Sequence, residues 1–207
     1  MDLVPGAVPT WGPIYPMSAH QLALPDQYLK KMLKQDEISE SKLLAGARIL
    51  FVPKPDGYMR LCMDYGQLNQ LTIANKYPLP LITELRDRLA GETIFRKLDL
   101  KDGYYLLRIK KGDKWKTAFH TRYGHHEYKV MLFGLVNAPA TFQVMMNTSL
   151  RKFLDHGVIV YLNDILIYSE NKEEHVKPFK KVLAQLEDFD LAVSQQNWFF
   201  TSTKSNS

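Results

Sequence analysis

Apolar residues recur in several stretches of the chain at the three-to-four-residue spacing that places them on one face of a helix. This spacing predicts helices over 24–38, 82–90, 139–154 and 171–189. Gly91 is suited to end the second helix, and Asn171, with Glu174 three residues on, is suited to begin the last. Pro178 falls inside that last helix, where a proline is expected to kink or break it.

Short runs of β-branched and aromatic residues predict the strands. They cover 48–54, 58–64, 93–100, 104–109, 115–121, 127–131, 158–162 and 165–168. Pro55-Asp56-Gly57 is a strong turn between the first two strands, and Asn163-Asp164 joins the last two into a tight hairpin. Because helices and strands are mixed and several strands are joined by hairpins, the predicted fold class is α+β, built around an antiparallel sheet.

The composition is that of a globular protein with enough apolar residues, 45%, for a core. The net charge of +5 and the pI near 9.1 favour a polyanionic partner only weakly. Cys62 is the only cysteine, which excludes an internal disulfide and a cysteine-based zinc site. Neither a secretory signal nor an apolar stretch of about 20 residues occurs, so we expect a soluble intracellular protein, cytoplasmic or nuclear, with no membrane partner.

Two acidic residues stand where predicted strands end. Asp99 closes the apolar run 95–98, and Asp164 lies in the predicted hairpin turn. Taken singly, a carboxylate at either position is more often a turn former than a ligand. Taken together, two carboxylates presented by hairpins can meet at the surface of a sheet and hold Mg²⁺. Two such ions can clamp the attacking and leaving oxygens of a phosphoryl transfer.

Other kinds of catalytic site find little support in the chain. It has no glycine-rich phosphate loop that ends in Lys-Ser or Lys-Thr. His125 and His126 lie in a predicted turn, without a further metal ligand at a suitable spacing. We therefore expect these two histidines to be surface residues.

Four segments stand out in order along the chain. They are RLCMDY (60–65) followed by LN (68–69) and YPLP (77–80), FRKLDLKDGY (95–104), MLFGLVNAPATFQ (131–143) and YLNDILIY (161–168). These segments resemble the fingers segment, the first catalytic motif, the dNTP- and template-contacting motif and the catalytic hairpin of reverse transcriptases from gypsy-type LTR retrotransposons. The similarity runs from about Trp11 to Phe200.

The resemblance implies a right-hand polymerase fold of fingers and palm, in which an antiparallel sheet is backed by helices. The implied domains are an extended N-terminal arm at 1–23, a fingers-type region at 24–92, a palm at 93–200 with a fingers insertion within about 105–130, and a polar tail at 201–207. Four prolines within the first 18 residues agree with an extended arm. The thumb of the family is expected to be absent, as in a C-terminally truncated copy.

The resemblance also implies a catalytic site with two Mg²⁺ ions, for which Mn²⁺ can substitute. Asp99 is implied to bridge both ions, and Leu100 to add its backbone carbonyl oxygen. Asp164 is implied to be the remaining acid of the hairpin. Asn163 occupies the position of the family's first hairpin aspartate, where it offers one neutral carbonyl oxygen instead of an anionic group.

The implied partners are dNTPs and a primer annealed to an RNA or DNA template. Lys54 and Arg60 match residues that grip the incoming triphosphate, although each could instead be a solvated hairpin cation. Tyr104 matches the residue whose ring blocks a ribose 2′-hydroxyl, and its alternative is a core aromatic. Phe133 is implied to line the dNTP site.

Gly134, Gln143 and Tyr161 are implied to contact the template or primer, although Gln143 could equally be a solvated helix position. We expect template-directed DNA synthesis that is impaired by Asn163 and by the missing thumb. The alternative is a catalytically dead retrotransposon relic that keeps the fold and a weak, salt-sensitive binding of nucleic acid.

Overall fold

The structure is a computed structural model, and it describes residues 1–16, 23–53, 59–194 and 200–202. In chain order its elements are α1 (Ala23–Lys34), β1 (Ile38–Glu40), β2 (Arg48–Pro53), β3 (Met59–Asp64), α2 (Gly66–Leu71), α3 (Ile82–Arg88), β4 (Ile94–Asp99), β5 (Phe119–Thr121), β6 (Gly124–Tyr128), α4 (Ala138–Ser149), β7 (Val158–Tyr161), β8 (Asp164–Ser169), α5 (Lys172–Asp188) and β9 (Phe200–Ser202). None of the described helices is long and apolar enough to cross a membrane.

The chain divides into two compact units. The first unit comprises Met1–Asn75 and Tyr104–Ala138, and the second comprises Lys76–Gly103 and Pro139–Ser207. All but the first residue of α4 therefore belongs to the second unit. The division into arm, fingers, palm and tail stays a prediction.

The first unit contains two small antiparallel sheets. One is the hairpin of β2 and β3, in which Ile49 lies opposite Met63. The other has the strand order β1-β6-β5, with Ile38 opposite Tyr128. All four of these side chains are buried, so the cross-strand pairs supply the core of this unit together with the buried side of α1.

The second unit is built on one antiparallel sheet with the strand order β7-β8-β4-β9. Successive side chains of a strand point to opposite faces, and one face of this sheet carries the fully buried Leu98, Ile165 and Ile167. Helix α5 packs against β8, and its Val182 and Leu186 are buried. The predicted α+β class, with antiparallel sheets backed by helices, is confirmed.

Three predicted strands are wrong in whole or in part. The strand expected over 127–131 is β6, which begins at Gly124 and already ends at Tyr128. Residues 104–109 were expected to be extended, but Gly103–Leu106 is a 3₁₀ turn that follows Asp102 at a φ of +61°. The apolar run at this point does not alternate with polar residues, so it suits a buried turn as well as a strand. Lys111–Thr117 is also a 3₁₀ helix, in which Lys116 pairs with Asp113 at 2.5 Å, and only β5 remains of the strand expected over 115–121.

The prediction that His125 and His126 are surface residues of a turn is wrong. Both lie in β6, which begins directly at Gly124. His126 is buried opposite Phe119 of β5, and the two rings stack at 5.9 Å. The Nε2 atom of His125 lies 2.7 Å from the carbonyl oxygen of Ala45. Packing buries His126, and a hydrogen bond to a residue 80 positions away holds the half-buried His125. Neither contact is visible in the local sequence pattern.

Helix α5 runs through Pro178, so the expected break does not occur. The predicted start is confirmed, because the Asn171 side chain accepts a hydrogen bond from the Glu174 N–H at 2.9 Å. Proline removes one backbone hydrogen bond, but the buried face on either side, with His175 and Val182, stabilises the helix as a whole.

Part of the predicted polar tail lies in a strand. Thr201 and Ser202 lie in β9, which pairs with β4. The outer edge of β4 presents backbone groups that a further strand can satisfy. Residues 203–207 and the predicted turn at 55–57 lie outside the described residues.

Candidate active site

The pairing of β4 with β8 brings the two acidic candidates together. Asp99 is the last residue of β4, Asp164 is the first residue of β8, and they lie directly opposite each other. Their neighbours Leu98 and Ile165 are also opposite each other and fully buried on the other face of the sheet. Alternation along both strands therefore directs the two carboxylates to the more open face.

Asn163 is hydrogen-bonded to the first of these acids. Its side-chain Nδ2 donates to Asp99 Oδ1 at 2.9 Å. Its backbone carbonyl accepts from the Leu100 N–H at 3.3 Å. A third carboxylate at position 163 would repel Asp99, whereas the neutral amide stabilises it.

Lys97 is paired with the second acid. Its Nζ atom lies 2.9 Å from Asp164 Oδ2, with 41% and 45% of the two side chains exposed. Lys97 is a site residue that the motifs do not single out, although its position on the strand gives a signal. It stands two residues before Asp99 on the same strand, so both side chains emerge on the same face.

The oxygen ligands at this centre suit a hard divalent ion such as Mg²⁺. Asp99 and Asp164 supply two carboxylates, and Asn163 can add an amide oxygen. Within the described ranges, no group of three or more His, Cys, Asp or Glu side chains could hold a metal ion. Two carboxylates and an amide oxygen are the kind of donors that a divalent ion takes. The binding of Mg²⁺, the two-ion arrangement and the carbonyl of Leu100 as a ligand stay predictions.

Gln143 holds the hairpin that carries Asp164. Its Oε1 atom accepts from the Leu162 N–H at 2.8 Å, and its Nε2 donates to the Val160 carbonyl at 3.1 Å. The side chain is fully buried, so the alternative of a solvated helix position is wrong. Tyr161 lies opposite Asp164 at the end of β7. Contacts of Gln143 and Tyr161 with a template or primer stay predictions.

The candidates for the dNTP site lie in the first unit. Tyr104 is buried, with 6% of its surface exposed, and its ring meets Phe133 edge to face at 4.6 Å. Phe133 is 59% exposed. The core-aromatic alternative agrees with the burial of Tyr104, and its role in excluding a ribose hydroxyl stays a prediction.

Gly134 follows Phe133 in a loop that is held by two hydrogen bonds with the side chain of Asn69. Gly134 has a φ of +92°, which a residue without Cβ adopts at little cost. Asn69 donates to the Gly134 carbonyl at 2.7 Å and accepts from the Val136 N–H at 2.8 Å. Both bonds span more than 60 residues of chain, so nothing local in the sequence could have identified Asn69 as the residue that shapes this loop.

Arg60 is exposed on β3, opposite Val52. None of the ion pairs between described residues includes it. Lys54 lies outside the described residues. The grip of these two cations on a triphosphate stays a prediction.

The chain is similar to known proteins over most of its length. The profile of the family "Reverse transcriptase (RNA-dependent DNA polymerase)" matches residues 52–206. The Transposon Tf2-3 and Tf2-7 polyproteins of Schizosaccharomyces pombe are each 41% identical to the chain over 181 residues. Each match covers 87% of this chain but only 14% of the polyprotein.

Solved structures of the foamy viral protease-reverse transcriptase have a similar fold. The complex with an RNA/DNA hybrid has a TM-score of 0.82 at 25% identity, over 91% of this chain and 25% of that chain. The complex with double-stranded DNA has a TM-score of 0.82 at 26% identity, over 91% of this chain and 33% of that chain. The paired acids, the polymerase fold and the family match over most of the sequence show that this chain belongs to the reverse transcriptase family.

Proposed function

We propose that this chain is the fingers and palm of a gypsy-type retrotransposon reverse transcriptase, which acts inside the cell in template-directed DNA synthesis. The observation that carries the proposal is the pairing of Asp99 with Asp164 across β4 and β8, on the face opposite the buried core. Relatives that are transposon polyproteins support the retrotransposon origin. Foamy viral structures with an RNA/DNA hybrid and with double-stranded DNA support a primer–template as the partner.

In this proposal the carboxylates of Asp99 and Asp164 hold Mg²⁺, with Mn²⁺ as a substitute. The bound metal supplies positive charge that lowers the cost of the charge developing on the phosphate oxygens. Leu100 contributes its backbone carbonyl. A second ion, as the family resemblance implies, has one anionic ligand fewer here because of Asn163.

The first unit supplies the nucleotide contacts in this proposal. Arg60 and Lys54 bind the triphosphate, because guanidinium and ammonium groups donate charge-assisted hydrogen bonds to phosphate oxygens. Tyr104, held by its ring contact with Phe133, excludes a ribose 2′-hydroxyl and so favours dNTPs. Gly134 allows a close approach of the template backbone.

We also propose that Asn163 impairs this copy. The loss of one charged metal ligand costs several kcal/mol of transition-state stabilisation, which corresponds to roughly a thousandfold in rate. The amide that replaces it is neutral, so it offers the metal no charge in return, and its Nδ2 already donates a hydrogen bond to Asp99.

The test is primer extension by the Asn163→Asp variant on poly-rA annealed to oligo-dT, with Mg²⁺ and with Mn²⁺. We expect extension that requires dTTP and that disappears when Asp99→Asn is added to the same variant. Extension that survives the loss of Asp99 would place the chemistry elsewhere and refute the assignment of this centre.

A second candidate function is nucleic-acid binding without synthesis, as in a retrotransposon relic. The hydrogen bond from Asn163 to Asp99 favours it, because it stabilises the centre without any metal. This candidate predicts that the chain binds an RNA/DNA hybrid with an affinity that falls steeply as salt rises, and that Asn163→Asp restores no extension. If the variant extends the primer, the fold can still support DNA synthesis, and this second candidate is ruled out.

A further inference from the structure

The ion pair between Lys97 and Asp164 has no part in the proposed chemistry. Asp99 lies opposite Asp164 in the antiparallel pairing, and Lys97 lies opposite Leu166. Lys97 therefore reaches Asp164 along a diagonal between the two strands, a distance that a long side chain spans. The result is a contact of 2.9 Å between an ammonium group and a carboxylate proposed to bind metal.

This ion pair contributes little to stability, because water screens two side chains that are 41% and 45% exposed. Its larger consequence is for the charge of the centre. Asp99 and Asp164 bring two negative charges, Lys97 brings one positive charge, and Asn163 brings none. The centre thus carries a net charge of about −1 at neutral pH, which is low for a site that must attract a divalent ion.

We propose that Lys97 competes with the divalent ion for Asp164 and thereby lowers the metal affinity of this centre. The inference rests on the proposed function, which places the ion at Asp99 and Asp164. An ammonium group and a divalent cation a few ångströms apart repel each other even in water, so the metal binds only as Lys97 moves away from Asp164. Asn163 increases the effect, because no third carboxylate offsets the lysine.

The test is the direct binding of Mn²⁺ to the full chain in low-salt buffer without nucleic acid or dNTP. Electron paramagnetic resonance measures the concentration of the free ion. We expect Lys97→Met to bind Mn²⁺ about three- to tenfold more tightly than the parent. Lys97→Gln serves as a second uncharged variant and should show the same gain. Lys97→Arg keeps the charge and should remain within about twofold of the parent.

Two further variants separate this inference from the function on which it rests. In the Lys97→Met background, Asp164→Asn should abolish the gain, because the lysine acts through that carboxylate. Asp99→Asn in the parent should weaken Mn²⁺ binding. Unchanged affinity in both Lys97→Met and Lys97→Gln, with Asp99→Asn still weakening it, would overturn the role of Lys97 alone. Affinity that Asp99→Asn leaves unchanged would overturn the metal site itself, and the inference with it.

Discussion

At the scale of single residues, Asn163 affects stability and catalysis in opposite directions. Its amide donates to Asp99 at a position where a carboxylate would repel that acid. The same replacement removes a negative charge that a metal-dependent transfer uses. A catalytic site that concentrates like charges is destabilised by their repulsion. When a protein is no longer selected for activity, substitutions that reduce this repulsion are expected.

Restoring the acid should therefore destabilise the metal-free protein. Asn163→Asp places a carboxylate beside Asp99 and Asp164, and we expect it to lower the free energy of unfolding by roughly 1 kcal/mol in EDTA. Urea denaturation followed by circular dichroism measures the change. Addition of Mg²⁺ should narrow the gap, because bound metal stabilises the folded state. A variant as stable as the parent in EDTA would show that the amide does not relieve repulsion at this centre.

At the scale of elements, the hairpin of β7 and β8 depends on a residue of α4. Gln143 is fully buried, and it satisfies backbone groups of Val160 in β7 and of Leu162 in the turn. Leu162 has a φ of +54°, an uncommon conformation for a leucine, so the turn needs such support. The position of Asp164 thus depends on a side chain 21 residues earlier in the chain.

Replacing Gln143 by Leu should be costly, although the volumes of the two side chains are similar. The change removes the partner of the half-buried Leu162 N–H and of the buried Val160 carbonyl, and we expect a loss of about 2–5 kcal/mol in the free energy of unfolding. Thr148→Ala, at an exposed position of the same helix, serves as the matched control and should change stability by less than about 1 kcal/mol. A loss no greater than that of the control would contradict the supporting role of Gln143.

The elements also show where prediction from the sequence succeeds. The β7–β8 hairpin follows from two apolar runs around Asn163-Asp164, although the turn lies one residue earlier and Asp164 begins β8. The start of α5 follows from Asn171, because turns and caps depend on neighbouring residues. The 3₁₀ helix at Lys111–Thr117 could not be foreseen in this way. Its Asp113 is bound by the amino group of Met1 at 2.6 Å, and such a contact leaves no local pattern.

In the candidate active site, too, some residues are predictable from the sequence and others are not. The motifs identified Asp99 and Asp164, and the pairing of β4 with β8 follows once both are strands of one sheet. Lys97 was accessible in principle, through its spacing from Asp99, but its partner depends on the register between strands. Asn69 was not accessible as the residue that shapes its loop, because its hydrogen bonds reach a segment more than 60 residues away.

At the scale of the whole molecule, buried histidines make the fold sensitive to acid. Burial lowers the pKa of His120 and His126 in the first unit and of His175 in the second, with the charge of Arg96 adding to the effect at His175. Each folded-state pKa lies below the ordinary value of 6.5. The unfolded chain therefore takes up protons first as the pH falls, and the direction is the same in both units.

We expect the free energy of unfolding to be insensitive to these histidines above about pH 6.5, and to fall as the pH drops through their folded-state pKa values. Urea denaturation between pH 7.5 and 4.5 measures the profile. His175→Gln should reduce its slope, whereas His156→Gln, at an exposed position, should leave it unchanged. An equal slope in the parent and His175→Gln would show that His175 does not titrate with unfolding.

The proposed centre is built on Asp99 and Asp164, and one missing carboxylate is expected to limit its activity. The most direct measurement is the rate of single-nucleotide addition to a primer–template by the parent and by Asn163→Asp, side by side in Mg²⁺. We predict that the variant is faster by roughly a thousandfold. A parent that extends the primer as fast as its variant would contradict the claim, because Asn163 would then support the chemistry as well as the acid does.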